Sequence, residues 1–123
     1  MKIEVSNGEV VDKLTILEIK LSRIKEKNKL ANIRKEHAIL DKVVTKIIQK
    51  EDPLYQKLLK TNQLLWEVED MIRKLEKKKV FGEEFIQLAR SVYVHNDERA
   101  KIKMAINKKT NSKLIEEKSY EDY

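Results

Sequence analysis

Apolar residues recur at alternating four- and three-residue spacing in three stretches of the chain. Val10, Leu14, Leu17, Leu21 and Ile24 form the first stripe. Ile33, Leu40, Val44 and Ile47 form the second, with His37 in its missing slot. Leu54, Leu58, Leu65, Val68, Ile72 and Leu75 form the third, interrupted by the polar Thr61. A repeat averaging about 3.5 residues keeps one seam facing a neighbouring helix, so the pattern predicts long helices packed lengthwise.

Local signals set the ends. Ser6 or Asn7 can cap a first helix running from Gly8 to Glu26, with Glu9 and Asp12 near its positive dipole end. A break near Asn28 is expected because the second stripe resumes out of phase, although neither Gly nor Pro marks it; the alternative is one helix to residue 50. The second helix is expected over Leu30–Lys50. Pro53 pushes Asp52 out of the helical region and makes it a cap, opening a third helix that runs to Lys79. After the Val80-Phe81-Gly82 turn, a short helix is expected from Glu83 to Val92 with Phe85, Leu88, Ala89 and Val92 inward. Asn96-Asp97 reads as the cap of a last short helix to Lys109, anchored by Ile102 and Ile106. The fold class is therefore all-α: a single domain, residues 1–123, forming an antiparallel bundle of three long helices plus two short C-terminal helices and a tail.

Three sets of polar or off-seam residues stand out. At about 100° per residue, Ile16 and Ile19 lie opposite the first stripe, bracketed by Asp12 and Arg23. A helix apolar on two faces is either central in its bundle or contacts a second subunit. Asp12, Ile16, Ile19 and Arg23 are accordingly candidate self-association residues. The third helix carries Asn62, Trp66, Glu69 and Arg73 along one ridge, a candidate surface for a protein partner. Glu69 and Arg73, four apart in the favourable order, are expected to pair locally. Trp66 either packs or serves as a binding hot spot. Finally, Arg90, Asn96, Asp97, Arg99 and Lys103 gather where one helix is expected to end and another to begin. Free N–H groups there, with the two arginines, are suited to a carboxylate or phosphate. The competing account is simple capping of the last helix.

Composition narrows the classes. Hydrophobic residues make up 41% and charged residues 39%, the balance of a helix-rich soluble protein, and only two glycines and one proline occur. No apolar run approaches a membrane span, so the chain is expected to be cytoplasmic. The absence of cysteine removes disulfides, thiolate metal sites and cysteine nucleophiles. Ser91 and Ser119 sit in no nucleophile elbow, and two isolated glycines build no phosphate loop. His37 reads as a partly buried neutral histidine; no metal site, catalytic set or cofactor is expected. The net charge of +6 is unevenly placed: residues 20–36 hold seven Lys/Arg against two Glu, and residues 71–79 five against one. Those basic faces would attract nucleic acid by charge, but few aromatics interleave with them.

The stretches Gly8 to Lys20 (GEVVDKLTILEIK), Lys29 to Arg34 (KLANIR), Asn96 to Ala100 (NDERA) and Glu116 to Tyr120 (EEKSY) resemble a family of small bacterial and phage proteins known only as a domain of unknown function. The resemblance covers nearly the whole chain. It implies that the tail belongs to the domain, with Tyr120 and Tyr123 packed back on the bundle, and that helices one and two are separate. The expected function is that of a non-enzymatic, self-associating interaction module, a homodimer that also meets a protein partner. The alternatives are a small ligand-binding domain or enzyme for an anionic (phosphorylated or nucleotide-sugar) metabolite, and nucleic-acid binding.

Overall fold

A computed structural model describes residues 1–123 and contains four helices and no strand: α1 Asn7–Arg23, α2 Lys27–Val44, α3 Pro53–Lys77 and α4 Glu83–Lys109. Each end has a local cause. Ser6 Oγ accepts from the Glu9 N–H at 3.2 Å, capping α1 as its sequence predicts. Ile24 and Glu26 take extended backbone angles, so α1 and α2 are separate, with the break slightly earlier than Asn28. Helix α2 ends at Val44, short of Lys50. The Val44 carbonyl accepts from both Ile47 and Ile48, at 2.8 and 2.9 Å, and this tight turn drives Ile48 into the core.

Asp52 caps α3 by accepting the Leu54 N–H at 2.9 Å, with Pro53 in the first turn. The end of α3 is closed by Lys79 at φ 56°, with the Val80 N–H returning to the Leu75 carbonyl at 3.0 Å. Asn111, at φ 52°, closes α4 in the same way through Ser112 N–H and the Asn107 carbonyl. Asparagine tolerates this left-handed conformation; lysine does so less readily.

The largest departure from the expected bundle is at its C-terminal end. The two short C-terminal helices are a single helix, α4, and Asn96-Asp97 lies in its interior. An interior Asn or Asp costs a helix only about 0.7 kcal/mol relative to alanine. Without Gly or Pro beside them, that penalty is outweighed by lengthwise packing on α3. Ala89, expected inward, is exposed.

Helix α1 is central: it touches each of the other three, whereas α2 packs on α1 alone and α3 packs on α4. Ion pairs and hydrogen bonds give the directions. Asp12 meets Asn62 and Arg23 meets Glu67, so α1 and α3 run parallel. Glu9 meets Lys103 and Asp12 meets Arg99, so α4 runs antiparallel to α1. The main core lies at one end, where Val10, Val11, Leu14, Val44, Ile48, Tyr55, Leu58, Ile102 and Ile106 interlock. Away from it, residues 69–101 contain no buried residue, so the far half of the α3/α4 hairpin stands as a two-helix projection. No helix is long and apolar enough to cross a membrane.

At the core end α1 and α4 approach very closely. A Cβ on Gly8 would lie 2.5 Å from the Lys103 carbonyl oxygen, and the Gly8 N–H donates to Asn107 Oδ1 at 2.6 Å. Nearby, Lys109 Nζ bonds Asp52 Oδ2, tying the end of α4 to the start of α3. The Lys109 bond, followed by that from the Leu54 N–H, holds the Asp52 carboxyl below its ordinary pKa. A depressed carboxyl contributes stability that is complete above the unfolded pKa, roughly 3.9, and is lost as pH falls through the lower folded value. Thermal melts from pH 6 to pH 2 should therefore show a shallower acid loss for Asp52→Asn than for the parent. Identical slopes would remove Asp52 from the acid response.

Candidate functional site

The parallel placement of α1 beside α3, with α4 across them, creates an open groove of about 530 Å³. Ile16 and Ile19 reach it from α1. The Asn62, Trp66, Glu69 and Arg73 ridge of α3 forms one wall, joined by Leu65 and Asp70, and α4 contributes Asn96 and Arg99. Members of all three sets singled out along the sequence thus meet in one place.

Beneath its floor lies a buried polar cluster. Asp12 is 1% exposed and Thr15 fully buried, with Asn62 at 4%. Arg99 grips Asp12 side-on: Nε donates to Oδ1 at 2.8 Å and a terminal nitrogen to Oδ2 at 2.5 Å. Asn62 Nδ2 donates to Asp12 Oδ1 at 2.9 Å and to Thr15 Oγ1 at 2.8 Å, while the Thr15 hydroxyl donates to the Asp12 carbonyl at 2.7 Å. The Asp12 hydrogen bond raises the pKa of the Arg99 guanidinium against the opposing effect of burial. Arg99's remaining nitrogen meets Asn96 Oδ1 only at 3.5 Å, so it is the least committed donor on the groove side. At the rim, Arg73 pairs with Glu69 as their spacing predicts, and Arg23 pairs with Glu67 at 3.1 Å.

The proposed anion cluster does not assemble. Its geometry required free N–H groups at Asn96-Asp97, which α4 consumes as ordinary helical hydrogen bonds. Arg90 and Arg99 are nine residues apart, about 180° around the helix, and so face opposite ways. Arg90 is exposed beside the Tyr93 hydroxyl at 3.4 Å. Arg99 is held by Asp12, and Lys103, 8% exposed, donates to Glu9 at 2.6 Å. Asp97 accepts from the Tyr123 hydroxyl, whose ring also stacks edge-on to Tyr93 with centroids 5.1 Å apart. The tail therefore returns along α4 through Tyr123, although Tyr120 and Tyr123 both stay largely exposed.

The two-faced first helix also has its explanation inside the chain. Asp12 and Ile19, at 1% and 3% exposure, are covered by the chain's own helices, and Ile16 is half-buried at the groove floor. Of the four candidate self-association residues only Arg23 is exposed, and Glu67 holds it. Central position in the bundle is enough to account for the second apolar face.

Sequence reasoning missed Leu65 and Asp70 in the groove wall and Thr15 in the cluster beneath it. It also missed a second cluster, where Glu18 of α1 faces His37 and Asp41 of α2. A signal for the cluster beneath the groove was present in Asp12, a carboxylate beside an apolar face, because a carboxylate that becomes buried calls for a paired cation.

Fold and groove together define an all-α domain of four helices built around its first. The chain belongs to the family of unknown function DUF6165, whose model matches residues 1–123. No curated protein and no solved structure matches it.

Proposed function

We propose that this chain is a non-enzymatic interaction module whose α1/α3/α4 groove takes an amphipathic segment of a protein partner. The observation that carries this reading is the convergence of an apolar floor (Ile16, Ile19, Leu65), one tryptophan and a charged rim in a single open groove. A helical or extended segment laid there gains apolar contact along the floor and polar contact at the rim. Charge argues against an anionic metabolite at this position, because each nearby cation already has a carboxylate: Arg99 with Asp12, Lys103 with Glu9, Arg73 with Glu69.

Trp66 is the sole tryptophan and lines the groove, so its emission reports on this site alone. A photo-crosslinking residue in place of Glu69 is expected to trap a discrete partner in cells, whereas one in place of Lys35, exposed on α2, is not. The trapped segment, made as a peptide, should shift Trp66 emission and bind Trp66→Ala at least about tenfold more weakly, as for an interface hot spot. Unchanged emission, or equal affinity for the variant, would sink the reading.

Self-association stands as a second reading, favoured by the absence of any buried residue over 69–101. Met71, Phe81, Ile86 and Val94 are all exposed on this projection. Two such hairpins side by side would supply the four helices that a stable bundle needs. Light scattering after size exclusion should then give a dimer that Ile86→Glu weakens; a monomer at high micromolar concentration excludes it.

A further inference from the structure

Glu18, His37 and Asp41 point one donor atom each to a common place between α1 and α2, all within 4.8 Å of one another. His37 and Asp41 are four apart and share a face of α2, while Glu18 faces them from α1. That place already attracts a cation: Lys50 Nζ lies 2.9 Å from Glu18 Oε1 and 2.7 Å from Asp41 Oδ1. The lysine arrives from the irregular α2–α3 connection and its side chain is 37% exposed, so solvent lies open to it when these bonds break. Asp41 Oδ1 is buried, and the Lys50 ammonium is the one donor close to it. His37 Nε2 is 3.8 Å from Glu18, beyond hydrogen-bond reach, which leaves the imidazole nitrogen uncommitted.

An independent feature points at the same place. Tyr55 is 1% exposed, and its hydroxyl is buried beside Glu18 and Asp41 without a well-aligned hydrogen bond. An orphaned hydroxyl at this depth is costly unless something completes its surroundings.

We propose that Glu18, His37 and Asp41 form a site for a divalent transition ion of the zinc class, which Lys50 occupies with its ammonium in the ion's absence. An imidazole with two carboxylates suits zinc, cobalt or nickel better than magnesium or calcium, which take oxygen ligands only. Zinc bonds of about 2.0–2.2 Å require the three donors to draw together from their present spread, a movement within reach of side-chain rotation. A water completes the fourth position, and Tyr55 is placed to donate to a ligating carboxylate as an outer-shell partner. The ion would clamp α2, which has no other helical neighbour, to α1.

The test is titration of the metal-free full chain with Zn²⁺ by calorimetry and with Co²⁺ by visible absorption. One ion per chain is expected, with the visible bands of a low-coordinate cobalt centre. His37→Ala and Asp41→Asn should each weaken binding at least about tenfold, whereas His95→Ala should leave it unchanged. Lys50→Met, which removes the competing ammonium, should tighten it. The wild-type cobalt spectrum and the His37 and His95 variants suffice if Lys50→Met folds poorly. No binding, binding that survives His37→Ala, or loss on His95→Ala instead would overturn the site. Magnesium at millimolar concentration should not displace the zinc; displacement would also overturn it.

Discussion

Arg99→Ala is expected to lower folding stability by about 3–5 kcal/mol, because it leaves a buried charge alone. Asp12 is 1% exposed, and Arg99 supplies two of the three hydrogen bonds that its side chain accepts. Once the guanidinium is gone, Asn62 is the sole remaining donor to that carboxylate. The size of the effect comes from the stranded carboxylate rather than from the worth of the pair, so Asp12→Asn in the same chain should recover part of the loss. A double-mutant cycle in urea measures this directly: the coupling between positions 12 and 99 should be well above 1 kcal/mol. Arg99→Lys should fall between the parent and alanine, since an ammonium cannot reproduce the side-on grip. A loss below 1 kcal/mol for Arg99→Ala would mean that water reaches Asp12 and that the floor of the groove is not closed.

Gly8→Ala is expected to cost about 1–3 kcal/mol, although alanine is the better helix former by about 1 kcal/mol. The added methyl would meet the Lys103 carbonyl at 2.5 Å, and that neighbour is backbone, which cannot swing aside. Helix α1 would have to lift from α4, stretching the 2.6 Å bond from the Gly8 N–H to Asn107. At Gly82 an added methyl meets nothing within 4 Å, so the same change there should stay within the roughly 1 kcal/mol of a weakened helix cap. Denaturant midpoints of the two variants provide the comparison. Equal effects at the two glycines would show that α1 and α4 are not in close contact.

Much of this architecture was legible in local pattern. The stripes that begin at Val10, Ile33 and Leu54 mark α1, α2 and α3, and Ser6 and Asp52 cap where their chemistry allows. What failed was Asn96-Asp97, because a cap signature is only a weak local preference. Whether it acts depends on the helix packed alongside, here α3. The groove was half legible. Trp66, Ile16 and Arg99 were each recognisable as exceptions to the seam, yet nothing along the chain says that they meet. Their convergence depends on α1 and α3 running parallel, a consequence of α2 returning the chain to its starting end. Asp12 and Arg99 are 87 residues apart, and periodicity carries no information about such pairs. Glu18, His37 and Asp41 were hidden for the same reason, since their register depends on the exact break between α1 and α2.

Helix α2 buries only Val44, its last residue, and has one helical neighbour. Its first three turns therefore carry little of the free energy that holds the rest together. Amide protons from Lys27 to Ile39 should exchange through a sub-global opening that leaves α1, α3 and α4 folded. The chain then behaves as a three-helix foldon with a fourth helix that opens and closes on its own, anchored at its C-terminal end. Any molecule that engages α1 and α2 together sets the lifetime of that opening without altering the fold beneath it.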